Sequence, residues 1–315
     1  MNNKVKNIAI LGATGHIAKN IVYNFYKQRQ YKLFLFSRSS EHMQNFLKII
    51  GHDSKDDNIT IKTYDEFQNG KYDVAINCVG RGDPGRLKAV GPTIFRLTER
   101  YDNLILDYLE KTPDTLYINF SSGAVYGIEF NTFISEKDLA SIDINNIDSS
   151  DFYRIAKINS EAKHRALESF NIIDLRLFNF FSRFIELKSK YFISEVLSCI
   201  KQEKELKTEP GDILRDYVHP MDLIDLIKKC IEKHFLNDAY DVYSLSPVKK
   251  FTILDYFAKE YRLKYIIKDD INKSTATGEK NIYYSKNRKA EKLGYLPKFT
   301  SFECIIKESE EILRK

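Results

Sequence analysis

Continuous apolar runs alternate with helix-forming segments over residues 1–180 of the chain. The runs are apolar throughout, which is typical of strands that are buried on both faces. Strands and helices in this alternation form a parallel sheet with helices on both sides. The predicted strands cover residues 6–11, 31–36, 59–63, 73–79, 115–121 and 172–178, and the predicted helices cover 15–28, 40–50, 93–110 and 151–170. The sequence therefore predicts an α/β fold with a doubly wound parallel sheet.

The last third of the chain has a different pattern. Helices are predicted over residues 191–204, 220–234, 252–261 and 301–313, with short strands between them, and the polar stretch 264–280 is predicted to be a loop. We expect a doubly wound domain over residues 1–180 and a smaller, mostly helical C-terminal lobe over residues 181–315, with an approximate and interleaved boundary.

Composition excludes several classes of protein. No apolar run approaches the roughly 18 residues needed to span a membrane, so we expect a cytoplasmic protein that does not bind membranes. The net charge of +5 is small for 315 residues, and the lysines are interleaved with acids, so no nucleic-acid partner is expected. The cysteines lie far apart without a C-x-x-C motif, which argues against disulfides and against a metal site.

A glycine-rich turn follows the first predicted strand and opens the first predicted helix, in the segment Gly12-Ala13-Thr14-Gly15-His16-Ile17-Ala18. Small residues at the spaced positions allow a tight turn, close approach of a pyrophosphate and close helix–strand packing. The free N–H groups of the helix N-terminus then face the phosphates. This strand–turn–helix context predicts a Rossmann domain that binds a dinucleotide; the alternative is a tight turn without a ligand. The predicted cofactor contacts in the turn are Gly12, Thr14, Gly15, His16 and Ile17.

Further cofactor contacts are predicted at the ends of the next strands. The second strand ends at Arg38, where an acid would favour NAD and an arginine suits the 2′-phosphate of NADP. We therefore favour NADP over NAD, although Arg38 stacked on adenine or pointing to solvent is the alternative. Asp65 is a candidate acceptor for the adenine amine or a surface turn residue. Cys78, Val79 and Gly80 end the fourth strand, where the backbone passes close to a cofactor; Cys78 lines that groove or belongs to the core.

A tyrosine–lysine pair and a serine carry the predicted chemistry. Tyr153 and Lys157 are four residues apart and share one helix face, so the ammonium can lower the phenol pKa and make the phenol a general acid or base. Ser122 ends the preceding strand at the same sheet edge and can hydrogen-bond the same substrate oxygen. Tyr23 and Lys27 have the same spacing, but they lie on the helix after the glycine turn, away from the strand ends that hold ligands.

These motifs make the chain resemble the extended short-chain dehydrogenase/reductase family, in the branch that modifies nucleotide sugars. The resemblance covers nearly the whole chain. It rests on Gly12-x-x-Gly15-x-x-Ala18, on Ser122 four residues before Tyr126, on Tyr153-x-x-x-Lys157, on Leu175-Arg176-Leu177-Phe178-Asn179, on Arg215-Asp216-Tyr217-Val218-His219-Pro220-Met221-Asp222, and on residues 281–295.

The resemblance implies roles for these residues. Ser122, Tyr153 and Lys157 would be catalytic, and Tyr153 and Lys157 would also contact the cofactor. Ser122 would contact the substrate as well, and Asn179 and Arg215 would bind its diphosphate, since a guanidinium fork matches phosphate oxygens. The C-terminal lobe would then bind the nucleotide sugar. Similar proteins pair through the helices at 93–110 and 151–170, so a homodimer is expected.

The resemblance also narrows the reaction. Dehydratases of the family carry Asp-Glu directly after the Ser/Thr, and reductases of the GDP-fucose synthase type carry a cysteine there; this chain has Gly123-Ala124. The remaining reactions are 4-keto reduction, which Arg38 favours, and 4-epimerisation with retained NAD. A non-catalytic NADP-binding sensor is the alternative of another class, but such proteins lack the tyrosine. The loop 81–86 is expected to reach the sugar or the nicotinamide. The stretch 128–150 forms either a lid over the sugar or a solvated surface insertion.

Overall fold

The structure is a computed structural model that describes residues 5–53, 55–80, 82, 84–127, 130–268 and 281–314. Its strands are β1 (Lys6–Leu11), β2 (Tyr31–Phe36), β3 (Ile59–Lys62), β4 (Val74–Asn77), β5 (Leu116–Ser122), β6 (Ile172–Leu177), β7 (Asn179–Phe180), β8 (Leu206–Thr208), β9 (Leu214–Arg215), β10 (Tyr217–Val218), β11 (Asn237–Val242), β12 (Val248–Lys249), β13 (Tyr265–Ile267) and β14 (Ile282–Tyr283). Its helices are α1 (His16–Gln28), α2 (Ser40–Ile49), α3 (Pro84–Val90), α4 (Thr93–Leu109), α5 (Phe152–Ala166), α6 (Phe192–Lys201), α7 (Pro220–Glu232), α8 (Lys250–Tyr261) and α9 (Ser301–Leu313).

A seven-stranded sheet forms the centre of the molecule, in the order β11-β6-β5-β4-β1-β2-β3. All of its neighbouring strands are parallel. The strand order changes direction between β1 and β4, and in open α/β sheets ligands bind at such a point, outside the carboxyl ends of the strands. The predicted α/β fold with a doubly wound parallel sheet is confirmed.

Both faces of the sheet are covered, which explains why its strands are apolar throughout. Ile8 and Ile10 of β1 pack with α1, α2 and α7 on one face. Ala9 and Leu11 of the same strand pack with Ile105 and neighbouring α4 residues on the other. Successive side chains of a strand point to opposite faces, so each strand needs apolar residues at consecutive positions.

The C-terminal part of the chain contributes to both regions. α7 packs in the core on one face of the central sheet, and β11 forms an edge of that sheet. The smaller lobe is built around α6, α8 and α9, with three small sheets that pair β10 with β7, β9 with β12 and β14, and β13 with β8. The four helices predicted for this part of the chain are present as α6, α7, α8 and α9, with short strands between them.

One sequence prediction in this lobe is wrong. Residues 265–267 of the predicted loop form β13, which pairs with β8, because a strand of three residues is too short to show a period in the sequence. Residues 269–280 of that loop lie outside the described residues.

Within the described ranges no helix is both long and apolar enough to cross a membrane. The same residues contain no group of three or more His, Cys, Asp or Glu placed to hold a metal ion.

Candidate active site

The glycine-rich turn lies at the switch point of the sheet, against the end of β4. Gly12 has a φ of +71°, and a Cβ on it would lie 2.9 Å from the Cys78 carbonyl carbon and from the Val79 nitrogen. Its carbonyl accepts a hydrogen bond from Gly15 N at 2.8 Å, and Gly15 is the N-cap of α1. The turn thus has the tight backbone approach and the open helix N-terminus that suit a dinucleotide pyrophosphate.

The other predicted residues of the turn have different surroundings. Thr14 and Ile17 are half-buried beside it. The His16 imidazole hydrogen-bonds Ser182 Oγ through Nε2 at 2.8 Å, and its ring centroid lies 5.1 Å from that of Phe180. Burial lowers the pKa of His16 to about 3, so the imidazole is neutral at physiological pH. Its side chain therefore links the turn to the segment that leads into the C-terminal lobe.

Tyr64, which the sequence analysis missed, hydrogen-bonds the glycine turn. Its hydroxyl accepts a hydrogen bond from Gly12 N at 3.1 Å, and its ring centroid lies 4.7 Å from that of Tyr101. Burial raises the pKa of Tyr64 to about 12, against a lowering by Gly12 N–H and by the Arg38 charge. Arg38 itself is exposed at the end of β2, and Asp65 is exposed in the turn after β3. In the sequence, Tyr64 is marked only by its position two residues after the end of β3.

The segment after β4 connects the cofactor end with the predicted catalytic lysine. Val79 N donates a hydrogen bond to Asn77 Oδ1 at 3.0 Å, and Gly80 is exposed. Burial raises the pKa of the half-buried Cys78 thiol, and the Lys157 ammonium is close enough to offset part of this rise. Cys78 and Lys157 therefore lie on the same side of the sheet edge.

The structure brings the predicted catalytic residues together at the carboxyl end of β5. Ser122 is the last residue of this strand, and its Oγ accepts a hydrogen bond from Ala124 N at 3.2 Å. The Tyr153 phenol, on α5, lies close enough to the same serine side chain for Ser122 to offset part of the rise that burial causes in the Tyr153 pKa. Lys157, one turn further along α5, donates from Nζ to the Phe120 carbonyl at 2.7 Å. A hydroxyl, a phenol and an ammonium group are thus held by two adjacent elements.

The expected effect of Lys157 on the phenol is wrong for this structure. Burial raises the pKa of Tyr153 above its ordinary value, and Ser122 offsets part of that rise. The ammonium of Lys157 is directed to the Phe120 carbonyl, and burial lowers its own pKa against the opposing charges of nearby acids. The four-residue spacing brought both side chains to the site, but it did not determine where the ammonium points.

The position that holds an acid in dehydratases is closed here. A Cβ on Gly123 would lie 2.5 Å from the Phe178 ring, and the Tyr126 ring stacks on Phe178 at a centroid distance of 6.4 Å. A larger side chain at residue 123 requires the Phe178 ring to move.

A second tyrosine that the sequence analysis missed lies beside Ser122. Tyr283, in β14, has its Oη 3.5 Å from Ser122 Oγ and is 4% exposed. Its ring contacts those of Phe130 and Phe178, with centroids 4.8 and 4.9 Å away. Tyr283 falls in the segment 281–295 that carries part of the family resemblance, but nothing local in the sequence sets it apart from the other tyrosines.

The predicted substrate residues border this group. The Arg215 guanidinium carbon lies 6.0 Å from the centre of the Tyr283 ring, and its Nη1 donates to the Leu214 carbonyl at 3.0 Å. Burial lowers the pKa of Arg215. Asn179 Nδ2 donates to the Asp216 carbonyl at 3.2 Å, which ties β7 to the chain segment that carries Arg215.

The sequence leaves the roles of the loop 81–86 and the stretch 128–150 open. Arg81 and Asp83 lie outside the described residues, so the role of the loop 81–86 stays a prediction. In the stretch 128–150, residues 130–134 pair with the segment that carries Tyr283: Ile282 N donates to the Phe130 carbonyl at 2.9 Å, and Ile134 N donates to the Tyr284 carbonyl at 3.0 Å. This part forms a wall of the site, whereas most of residues 136–150 are exposed.

Comparison with known proteins identifies the family. A sequence profile of the NAD dependent epimerase/dehydratase family matches residues 8–246, which include the glycine turn, Ser122, Tyr153, Lys157 and Arg215. The chain belongs to the NAD-dependent epimerase/dehydratase family. Its resemblance to the nucleotide-sugar branch of the extended short-chain dehydrogenase/reductases is thereby confirmed, and it is an enzyme of this family. No match was found among curated proteins.

Several solved structures share the fold at low sequence identity. The dTDP-glucose 4,6-dehydratase of Bacillus anthracis, in complex with NAD, is 15% identical with a TM-score of 0.78, over 99% of this chain and 97% of that chain. The UDP-N-acetylglucosamine 4-epimerase of Methanobrevibacter ruminantium, in complex with UDP-N-acetylmuramic acid, is 16% identical with a TM-score of 0.79, over 99% of each chain. The UDP-glucose 4-epimerase of Bifidobacterium longum, in complex with NAD⁺ and UDP, is 17% identical with a TM-score of 0.75, over 98% of each chain.

Proposed function

We propose that the enzyme exchanges a carbonyl and an alcohol at C4 of a nucleoside-diphosphate sugar, with Tyr153 as general acid and base. The observation that carries this proposal is the convergence of Ser122, Tyr153 and Lys157 at the end of β5, next to Cys78 on the cofactor side. A nicotinamide bound along the glycine turn would supply or accept the hydride.

The side chains have distinct tasks in this proposal. In the reducing direction Tyr153 gives its proton to the sugar oxygen, and Ser122 donates a hydrogen bond to the same oxygen. Lys157 donates to the Phe120 carbonyl at 2.7 Å, and this contact ties α5 to β5 and holds Tyr153 at the strand end. In the oxidising direction the phenolate removes the proton from the hydroxyl.

Arg215 and Asn179 are the proposed contacts of the diphosphate. The guanidinium of Arg215 is partly buried beside Tyr283, and its donors match phosphate oxygens. The epimerases of M. ruminantium and B. longum that share the fold hold UDP-N-acetylmuramic acid and UDP, respectively, which supports a nucleotide-sugar substrate. A cytoplasmic homodimer, paired through α4 and α5, is also part of the proposal.

We favour 4-keto reduction with NADPH, because the segment that follows β2, Ser37-Arg38-Ser39, contains no carboxylate and leaves Arg38 exposed. If Arg38 holds the 2′-phosphate, Arg38→Asp lowers NADP affinity by about tenfold to a hundredfold, the size of one charge-assisted contact, and leaves NAD affinity unchanged. Lys48→Asp makes the same charge change on α2 and serves as the control. Equal losses for NADP and NAD in calorimetric titrations contradict the assignment.

The second candidate is a 4-epimerase with retained NAD, which the NAD bound in the B. anthracis and B. longum enzymes favours. Protein that releases nicotinamide on denaturation and interconverts two nucleotide sugars without net change at 340 nm is an epimerase. Protein that consumes NADPH with a 4-keto nucleotide sugar is a reductase.

The proposed proton transfer is tested with Tyr153→Phe, assayed with UDP-, dTDP-, GDP- and CDP-sugars. We expect a loss of at least about a hundredfold in kcat, which is typical when a general acid is removed. Tyr23→Phe is the matched control, because Tyr23 and Lys27 have the same spacing on α1 while the Tyr23 ring packs on Phe184. Cofactor binding without turnover in the unaltered protein instead identifies a sensor.

A further inference from the structure

Three hydroxyl groups converge at the end of β5, and one of them comes from outside the predicted catalytic residues. Tyr283 Oη lies 3.5 Å from Ser122 Oγ. The Tyr153 phenol is close enough to the same serine for Ser122 to offset part of the rise that burial causes in the Tyr153 pKa, and it is close enough to Tyr283 to influence the pKa of that phenol. Ser122 thus lies between two phenols that approach from α5 and from β14.

The Tyr283 ring is held on several sides. Phe130 packs edge-on against it and Phe178 at a tilt, with centroids 4.8 and 4.9 Å away. The backbone of Tyr283 pairs with Arg215 of β9. A side chain fixed in this way places its hydroxyl before substrate arrives, and such preorganised donors are effective in catalysis because they need no reorientation during the reaction.

The Tyr283 hydroxyl is a hydrogen-bond donor at neutral pH. Burial raises the pKa of Tyr283 well above its ordinary value, while Ser122 and Arg215 act in the opposite direction. The phenol therefore stays protonated at neutral pH and can donate a hydrogen bond without giving up its proton.

We propose that Tyr283 is a further catalytic residue, which donates a hydrogen bond to the sugar oxygen that Tyr153 protonates. This inference rests on the proposed carbonyl–alcohol exchange. An oxygen about 2.8 Å from each group, the usual O–H···O distance, fits between hydroxyls 3.5 Å apart.

The donor matters most while charge moves onto that oxygen. In the reducing direction the hydride that a bound nicotinamide would supply forms the C–H bond at C4. The carbonyl π bond breaks, and its electron pair moves onto the oxygen, which then takes the Tyr153 proton. A fixed donor stabilises this developing negative charge more than it stabilises the neutral carbonyl, and it therefore raises kcat. Tyr283 keeps its own proton, so the proton balance of the reaction involves Tyr153 alone.

The test is Tyr283→Phe, which keeps the ring contacts with Phe130 and Phe178 and removes only the hydroxyl. We expect kcat to fall by about tenfold to a hundredfold, in the range for loss of one oxyanion donor, with KM changed by less than about threefold. The pH dependence of kcat and the Tm should stay as in the unaltered enzyme. Tyr284→Phe is the matched control, because Tyr284 follows β14 and its ring contacts Phe133 instead, with centroids 6.0 Å apart.

The outcomes separate this inference from the proposed function. Loss of turnover in Tyr153→Phe together with unchanged kcat in Tyr283→Phe overturns the role of Tyr283 and leaves the proposed function standing. A fall in Tm that accompanies the fall in kcat shows that the hydroxyl is structural, and also overturns the role. No turnover of any nucleotide sugar by the unaltered enzyme overturns both.

Discussion

The Phe178 ring covers Gly123 so closely that a Cβ at residue 123 would lie 2.5 Å from it. This contact couples the residue after Ser122 to the end of β6. It gives a physical reason why Gly123 cannot be exchanged for the acid found in dehydratases unless the Phe178 ring moves.

Gly123→Asp should therefore destabilise the enzyme without adding dehydration. Overpacking of a filled site costs about 1–3 kcal/mol, so we expect a matching loss in the free energy of unfolding by urea titration. The double variant Gly123→Asp/Phe178→Ala provides the missing room. It should regain part of the free energy of unfolding that overpacking removes, while the cavity left by the lost ring lowers that gain. Mass spectrometry of the products checks for loss of water, and dehydration by the single variant would contradict the steric argument.

Gly12 and Gly51 allow two effects of a glycine to be separated. Both have positive φ, +71° and +74°, but an added Cβ meets the backbone of residues 78 and 79 at Gly12 and nothing within 4 Å at Gly51. Gly51→Ala should lower the free energy of unfolding by about 1–2 kcal/mol, the cost of the left-handed conformation for a residue with a Cβ. Gly12→Ala should lower the free energy of unfolding by about 1–3 kcal/mol more than this. It should also abolish cofactor binding, which is measured by calorimetry. Equal costs and intact binding would show that the close approach is unimportant.

Arg215→Met should weaken binding of the nucleotide. Removal of a guanidinium that contacts phosphate oxygens typically costs about 1.5–3 kcal/mol, which corresponds to an increase in the Kd of UDP of about tenfold to a hundredfold. Arg262→Met, at the exposed C-cap of α8, is the control. Unchanged UDP binding with an altered cofactor affinity would place Arg215 elsewhere in the mechanism.

His164 forms a buried ionic link behind the site, between α4 and β6. It is 0% exposed, and its ring nitrogens lie 2.7 Å from Asp102 Oδ1 and 2.9 Å from Asp174 Oδ1. Burial alone would lower the pKa of His164, but the two carboxylates outweigh it and raise that pKa to about 9. The imidazole is therefore charged in the folded enzyme at neutral pH.

The His164 link predicts a loss of stability at alkaline pH. A pKa that is higher in the folded than in the unfolded protein adds stability below the unfolded value of about 6.5, and this contribution disappears as the pH rises through about 9. Its size is on the order of 3 kcal/mol. Urea unfolding between pH 6 and 10 should show the decline, and His164→Gln should lower the stability at pH 6 and remove this part of the pH dependence. A parallel pH dependence in both proteins would contradict the assignment.

The sequence predicted those parts of the fold and site that depend on neighbouring residues. The glycine turn, the Tyr153–Lys157 spacing and the strand that ends at Ser122 are contiguous patterns with fixed local geometry, and the structure places them at one sheet edge. The apolar strands predicted the doubly wound sheet for the same reason, since burial on both faces requires consecutive apolar residues. The short strand β13 was missed because three residues carry no period.

The tertiary structure alone decided which distant groups meet these motifs. Tyr283 lies 161 positions from Ser122 and Tyr64 lies 52 positions from Gly12, so no local spacing relates them. The same applies to the Phe178 ring over Gly123 and to the Lys157 ammonium, which binds the Phe120 carbonyl. Backbone pattern determines which face a side chain occupies, but its contacts there depend on how the strands and helices pack, and that packing is set by the whole core.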